Sequence, residues 1–138
     1  MREERGAAAV EFAIVALLLF AILFGTIQFG MAFNRSQGLQ AAAREGARLA
    51  AIGATYDEIL QRVQVSQSLF ETADVQVTTS PVTGGSQRPC QISGVGGLVV
   101  VTASVAPNTK YAISIPMYGN RLLQYDGTGT FRCERTSA

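Results

Sequence analysis

An uncharged apolar run near the N-terminus constrains this chain more than any other feature. Residues 12–33 contain no charged side chain, and Thr26 and Gln28 are their polar interruptions. About 20 such residues in helical form match the hydrocarbon thickness of a bilayer, about 30 Å. The helical pattern continues beyond the run, because the first proline is Pro81 and the first stop signal is Gly53. A helix over residues 7–53 measures roughly 70 Å, so its second half must lie in water or against protein.

The second half of this helix, QGLQAAAREGARLAAIG, has an amphipathic pattern with an apolar face of small residues. Small residues recur at every fourth position: Gly38, Ala42, Gly46 and Ala50, preceded at the same spacing in the apolar run by Ala21 and Gly25. Such a series lets another backbone approach closely. Two interpretations stay open, since the helix can pack flat on its own domain or against a helix of another subunit.

Residues 54–138 have the pattern of a small α+β domain. Thr55 and Glu58 form a capping box that begins a helix over 56–69. Strands are predicted at 75–78, 98–105, 112–115 and 128–134, with 98–105 in the centre of the sheet. A long loop is predicted at 80–97 and a turn at YDGTG, residues 125–129. The predicted fold class is α+β: a long N-terminal helix, with a membrane half at 7–33 and an amphipathic soluble half at 34–53, packs on a small antiparallel sheet with one additional helix.

The composition argues against catalysis, metal binding and nucleic-acid recognition. The chain has no histidine, which removes the usual general base and the commonest metal ligand. The basic residues form no stripe, and the spacing of Asp57, Asp74 and Asp126 does not indicate a shared cleft. We therefore predict no catalytic residue, no metal site, no cofactor, no small-molecule substrate and no nucleic-acid partner.

The two cysteines, Cys90 and Cys133, are expected to form one disulfide if the domain lies outside the cytoplasm. The alternative is a pair of reduced, partly buried thiols. A disulfide at this separation closes a loop worth on the order of 3 to 4 kcal/mol, and it would join the last strand to the loop around Pro89.

A glycine and a carboxylate frame the start of the apolar run. Gly6 ends the charged leader MREER, and Glu11 follows five residues later. A charge at the middle of a bilayer costs roughly 2.5 to 3.5 kcal/mol, so Glu11 needs a partner or a position near the membrane edge. An ordinary signal anchor with Glu11 at the headgroup level is one interpretation. The arrangement also resembles the class III signal of type IV pilin-like proteins, in which a prepilin peptidase cuts after the glycine.

A wider resemblance covers the first 53 residues. RGAAAVEFAIVALLLF, FGTIQFGMAF and LQAAAREGARLAAIG together resemble the N-terminal half of TadE-like minor pilins of the tight-adherence (Tad, or Flp) pilus system. The closing segment GTGTFRCER, with Arg132 and Glu134, is similar to the end of those proteins. The resemblance implies a pilin-like fold and a leader, residues 1–6, removed after Gly6 so that Ala7 becomes the mature N-terminus.

The resemblance also implies a location and partners. It implies a single-pass protein of the bacterial cytoplasmic membrane with a cytoplasmic N-terminus and an extracytoplasmic head, residues 54–138. The implied partners are the membrane, the prepilin peptidase and other pilin and pseudopilin subunits. The charges flanking the apolar run do not set the orientation themselves, because arginines lie on both sides.

Cleavage after Gly6 would give Glu11 a partner. The new α-amine of Ala7 has an unperturbed pKa of about 8, and a carboxylate on a neighbouring helix can neutralise it. The expected function is that of a minor pilin or pseudopilin in the assembly, priming or stabilisation of a Tad-type adhesive pilus. The alternative is a secreted or signal-anchored extracytoplasmic binding domain without a pilus role, because GMA at residues 30–32 offers a conventional signal-peptidase site before Phe33.

Overall fold

The computed structural model describes residues 2–115 and 119–134, with residues 2–5 as helix backbone only. Met1 of the predicted leader, and residues 116–118 and 135–138 of the predicted head, lie outside the described residues. The helices are α1 (Arg2–Ala51), α2 (Tyr56–Ser66) and α3 (Pro89–Ser93). The strands are β1 (Val75–Ser80), β2 (Leu98–Val105), β3 (Ile113–Ile115), β4 (Gly119–Arg121) and β5 (Tyr125–Arg132). The predicted α+β fold with a long N-terminal helix is confirmed.

Helix α1 is one uninterrupted helix of 50 residues, about 75 Å long. Nearly every side chain from residue 6 to residue 31 is exposed, whereas from Ala32 onward one face is buried. The helix ends where Gly53 adopts a φ of 95°, a conformation that a side chain would strain. A single element therefore provides both an exposed apolar rod and part of the core of the head.

The main sheet has three antiparallel strands in the order β1-β2-β5, so the predicted central position of β2 is confirmed. Alternate residues of β2 point to the core, and α1 covers that face of the sheet. The inward residues of β2 are Val99, Val101, Ala103 and Val105. On the other face, Thr78, Thr102 and Thr128 lie side by side in register across the three strands. The sheet thus has one apolar face and one polar face, as the alternating pattern of β1 predicts.

Two glycines let strand β5 approach α1 backbone to backbone. A Cβ added to Gly127 would lie 2.5 Å from the carbonyl carbon of Leu39, and one added to Gly129 would lie 2.4 Å from the carbonyl oxygen of Ala43. Two strand residues span about 6.6 Å and four helix residues about 6.0 Å, so the two spacings match. Strand β5 therefore runs in the same direction as α1. The prediction of a turn at residues 125–129 is wrong, because these glycines make room for the helix.

Three other predictions need correction. Strand β3 does not join the main sheet but pairs with β4 in a separate two-stranded sheet. The predicted loop at 80–97 contains the short helix α3. Helix α2 ends at Ser66 instead of residue 69, because the Gln67 side chain accepts from the Phe70 N–H at 2.9 Å and donates to the Phe70 carbonyl at 3.1 Å, which fixes a turn.

The capping box of α2 and the disulfide are both present. The Thr55 hydroxyl accepts from the Glu58 N–H at 3.4 Å, and the Glu58 carboxylate accepts from the Thr55 N–H at 2.8 Å. The backbone and side-chain hydrogen bonds of Thr55 lower the pKa of Glu58. Cys90 in α3 and Cys133 after β5 form the predicted disulfide, with a Cα–Cα distance of 5.6 Å. The bond ties the segment that follows β5 to α3, at the end of the head farthest from the exposed half of α1.

Candidate assembly segment and its junction with the head

The predicted processing and charge-pair residues lie in the exposed half of α1. Gly6, Ala7 and Glu11 are all exposed, and nothing lies within 4 Å of a Cβ added to Gly6. Glu11 is the one charged residue in residues 6–34 of the sequence. It is followed by large exposed apolar side chains, including Phe12 at 75% exposure. An apolar surface of this extent marks a contact with lipid or with other protein chains.

By length and composition, one helix in the described part of the chain can cross a membrane. It corresponds to Gly6–Ala51, near the N-terminus, and its most apolar window makes no buried contact with the head. A core helix of a soluble domain would be mostly buried there. The exposed half of α1 is consistent with a single-pass membrane anchor.

The small-residue series divides between the two halves of α1. Ala21 and Gly25 are exposed, and nothing lies within 4 Å of a Cβ added to Gly25. In the soluble half the series faces the head: a Cβ on Gly46 would lie 2.5 Å from a methyl carbon of Val63 in α2. The other members of the soluble half are Gly38, half-buried beside Leu69, and the buried Ala42 and Ala50. Of the two interpretations left open by the spacing, the structure places the soluble half against its own domain.

The junction between the two halves is centred on Arg35. Its guanidinium donates to the Tyr111 carbonyl at 3.4 Å and lies 5.6 Å from the centroid of the Tyr111 ring. The Tyr125 hydroxyl donates to the same carbonyl at 3.0 Å, and Phe70 packs against both tyrosine rings. Ala32, one helical turn before Arg35, already belongs to the buried core. The head therefore begins at the C-terminal end of the apolar run, without an intervening linker.

A polar cluster surrounds the Tyr111 hydroxyl. This hydroxyl donates to Asp74 at 2.8 Å and accepts from the Glu71 N–H at 3.0 Å. The ammonium group of Lys110 lies 2.9 Å from the Glu71 carboxylate and 3.6 Å from that of Asp74. Burial raises the pKa of Tyr111, and the hydrogen bond to Glu71 raises the pKa of Lys110. Sequence reasoning missed this cluster because 37 to 40 residues separate its hydrogen-bonded partners, and no local motif joins them.

Within the described ranges, no group of three or more potential metal ligands occurs. An open groove of about 620 Å³ lies between the end of α1 and α2, and Glu58 is the carboxylate on its wall. Glu58 is already engaged in the capping box, and Asp57, Asp74 and Asp126 do not line the groove. The groove therefore brings no pair of carboxylates together.

These features define a class of protein in which a small α+β head is built on a helix able to span a membrane. Residues 6–48 match the family model of the TadE-like proteins, described as "TadE-like protein". The match covers less than half of the chain and includes Gly6, Glu11 and the AAAREGAR run. It confirms the resemblance over this segment and indicates a Tad pilus-associated protein with an N-terminal apolar helix. Neither a curated protein nor a solved structure matches the chain.

Proposed function

We propose that this chain is a membrane-anchored minor pilin or pseudopilin that takes part in the assembly, priming or stabilisation of a Tad-type adhesive pilus. The observation that carries the proposal is the exposed apolar half of α1, in which Glu11, the one carboxylate within residues 6–34, follows Gly6 by five residues. The family match over 6–48 supports it. In this proposal residues 7–33 lie in the cytoplasmic membrane, residues 34–53 are the amphipathic soluble half of α1, and residues 54–138 form the extracytoplasmic head. The partners are the prepilin peptidase and other pilin or pseudopilin subunits.

Processing is the first part of the proposal. A prepilin peptidase cuts between Gly6 and Ala7, which are both exposed; beyond the backbone of its own helix, no atom lies within 4 Å of a Cβ added to Gly6. The N-terminal sequence of the protein purified from membranes is then expected to begin at Ala7. A start at Met1 would indicate an unprocessed signal anchor, and a start at Phe33 would indicate a secreted domain.

A pair of variants tests the cleavage site. Gly6→Leu should retain the leader, because the bulky side chain replaces the small residue that the peptidase reads. Gly25→Leu is the matched control, since Gly25 also lies on the exposed half of α1 with nothing within 4 Å of an added Cβ. Intact mass spectrometry should show the leader on the first variant and its removal from the second. Normal processing of Gly6→Leu would refute the assignment of Gly6.

The charge pair is the second part of the proposal. Glu11 neutralises the α-amine of Ala7 on a neighbouring subunit, which lowers the cost of both ions in lipid or in a packed assembly. Four residues separate Ala7 from Glu11, a rise of about 6 Å along a helix. Pairing between parallel helices therefore also sets the axial offset of one subunit relative to the next.

Co-purification of the protein with other pilus subunits from detergent-solubilised membranes tests the charge pair. Glu11→Ala should be processed but recover less partner, whereas Thr26→Ala should behave as the wild type. Thr26 is a suitable control because its hydroxyl donates to the Ile22 carbonyl of its own helix at 2.8 Å. In the unprocessed Gly6→Leu protein, Glu11→Ala should cause no further loss, because the amine is absent. Processed Glu11→Ala that co-purifies normally would refute the pair.

The alternative of a secreted binding domain meets a structural objection. Cleavage after residues 30–32 would cut α1 inside a continuous helix, at an Ala32 that is buried in the core of the head. A signal peptidase would have to pull Ala32 out of the core before cutting, whereas Gly6 and Ala7 are exposed. The burial of Ala32 therefore favours the anchored protein.

A further inference from the structure

We infer that the head of this protein makes a second contact with the membrane through the chain that connects β2 to β5. The membrane-proximal connection is defined here by its described residues, 106–115 and 119–124. It contacts the lipid headgroups and the upper part of the acyl chains of the bilayer that holds α1. The inference rests on the membrane anchor of the proposed function and is independent of any role in a pilus.

The direction of the strands places this connection at one end of the head. Strand β5 runs in the same direction as α1, and β2 runs antiparallel to β5, so β2 leads toward the exposed half of α1. The two strands meet there in the pair Val105 and Tyr125. The Tyr125 hydroxyl and the Arg35 guanidinium reach the same Tyr111 carbonyl, at 3.0 and 3.4 Å. The connection therefore starts and ends at the level of Arg35.

The length of α1 places Arg35 at the membrane surface. Glu11 and Arg35 are the charged residues that flank the apolar run, and 24 helical residues correspond to about 36 Å. A bilayer has a hydrocarbon core of about 30 Å, so a helix near the membrane normal holds these two charges in the two headgroup layers. Ala32 is buried in the head although it lies one turn deeper than Arg35. The end of the head consequently lies in the headgroup layer itself.

The connection has the chemistry of a surface that contacts lipid. Ile115 is 39% exposed and Leu122 is 52% exposed, while β3 packs against α1 and Ile113 against the core. In sequence its charged residues are Lys110 and Arg121; Lys110 is paired with Glu71 and Asp74, so the positive charge comes from the exposed Arg121 and from Arg35 at the junction. Exposed apolar side chains combined with positive charge suit the boundary between acyl chains and anionic headgroups.

Single tryptophans measure this contact, because the natural chain contains none. The full-length protein is reconstituted in vesicles of phosphatidylglycerol and phosphatidylcholine, with or without brominated acyl chains on the phosphatidylcholine. Bromine quenches tryptophan at short range, so a loss of emission reports contact with lipid. Leu122→Trp and Ile115→Trp probe the connection. Phe24→Trp in the anchor is the reference for insertion.

Val82→Trp is the matched control for the head. Val82 is 86% exposed and follows the end of β1, where Ser80 pairs with Val100 far from the membrane-proximal connection. We expect both Leu122→Trp and Phe24→Trp to lose emission in brominated vesicles, with a blue-shifted spectrum for Leu122→Trp. Val82→Trp should keep its emission and a spectrum typical of water. Ile115→Trp should repeat the result if the first substitution disturbs folding.

Three other outcomes of the tryptophan experiment contradict the inference, each in a different way. Quenching of Phe24→Trp without quenching at residues 115 and 122 would mean that the anchor inserts but the head stands off the bilayer. A blue shift at these two positions without quenching would mean that another protein chain covers the surface. If Phe24→Trp were not quenched, α1 would not be inserted in the bilayer, and both the membrane anchor and the inference would be wrong. A failure of Glu11→Ala to impair assembly would leave the lipid contact unaffected.

Discussion

The contact between β5 and α1 gives the sharpest prediction, because a single methyl group should disrupt it. In Gly129→Ala, the new Cβ would lie 2.4 Å from the Ala43 carbonyl oxygen and 2.7 Å from the Cα of Arg44. Both neighbours are helix backbone, so no side-chain rotation can relieve the clash, and β5 must move away from α1. Overpacking of a core typically costs 1 to 3 kcal/mol, and we expect about 3 kcal/mol here. In a domain of about 100 residues this lowers Tm by roughly 12 to 24 °C.

The assay and its control follow from the composition and from the other glycines. The chain has four tyrosines and no tryptophan, so near-ultraviolet circular dichroism of the detergent-solubilised protein reports on the packing around Tyr111 and Tyr125. Gly84→Ala is the matched control, because a Cβ at Gly84 meets no atom within 4 Å. It should leave Tm unchanged or raise it slightly. If Gly129→Ala unfolds at the same temperature as Gly84→Ala, the proposed backbone contact between β5 and α1 is wrong.

Two further predictions concern the disulfide and the polar cluster. Reduction of the bond between Cys90 and Cys133, which are 43 residues apart, should lower the free energy of unfolding by about 4 kcal/mol, measured by denaturant titration with and without reductant. A variant with alanine at both positions should have the same free energy of unfolding as the reduced protein, with or without reductant. Equal stability of the reduced and oxidised wild type would contradict the prediction. Tyr111→Phe should cost about 1 kcal/mol at neutral pH, because Asp74 and the Glu71 N–H lose their hydrogen-bond partner. Burial raises the pKa of Tyr111 in the folded state. The stabilising contribution of its protonated hydroxyl is therefore fully present below the unfolded pKa of about 10 and is lost as the pH rises through the folded pKa. Over that rise in pH, Tyr111→Phe should lose less stability than the wild type.

The elements predicted correctly from sequence are those whose signal is local. The apolar run and the amphipathic half of α1 extend over many turns, and the capping box of Thr55 and Glu58 is defined within four residues. Strand β2 is a continuous apolar segment that suits the centre of a sheet. Each of these segments carries its own pattern, so no knowledge of the rest of the chain was needed to recognise it.

The errors arise where a residue owes its place to a distant partner. Gly127 and Gly129 suit a turn as well as a close approach to a helix, and the deciding atoms belong to Leu39 and Ala43, more than 80 residues earlier. The Tyr111 cluster likewise depends on partners in another part of the chain. The same distinction holds for the candidate site. The spacing of Gly6 and Glu11 can be recognised in the sequence, whereas the contacts of Arg35 at the junction could be identified only from the folded structure.

The uninterrupted course of α1 has a mechanical consequence. No proline occurs in α1, and the head is packed directly on the last five turns of the helix. The exposed half of α1 and the head are therefore joined by continuous helix, without a proline kink between them. Along this helix, successive residues are 1.5 Å apart in the axial direction and about 100° apart around the axis. The position of each apolar side chain therefore fixes its height and direction relative to the head. A pull or torque applied to the apolar half therefore reaches the head through a continuous helix. Extraction of the helix from a bilayer and reorientation of the head surface would occur as a single movement.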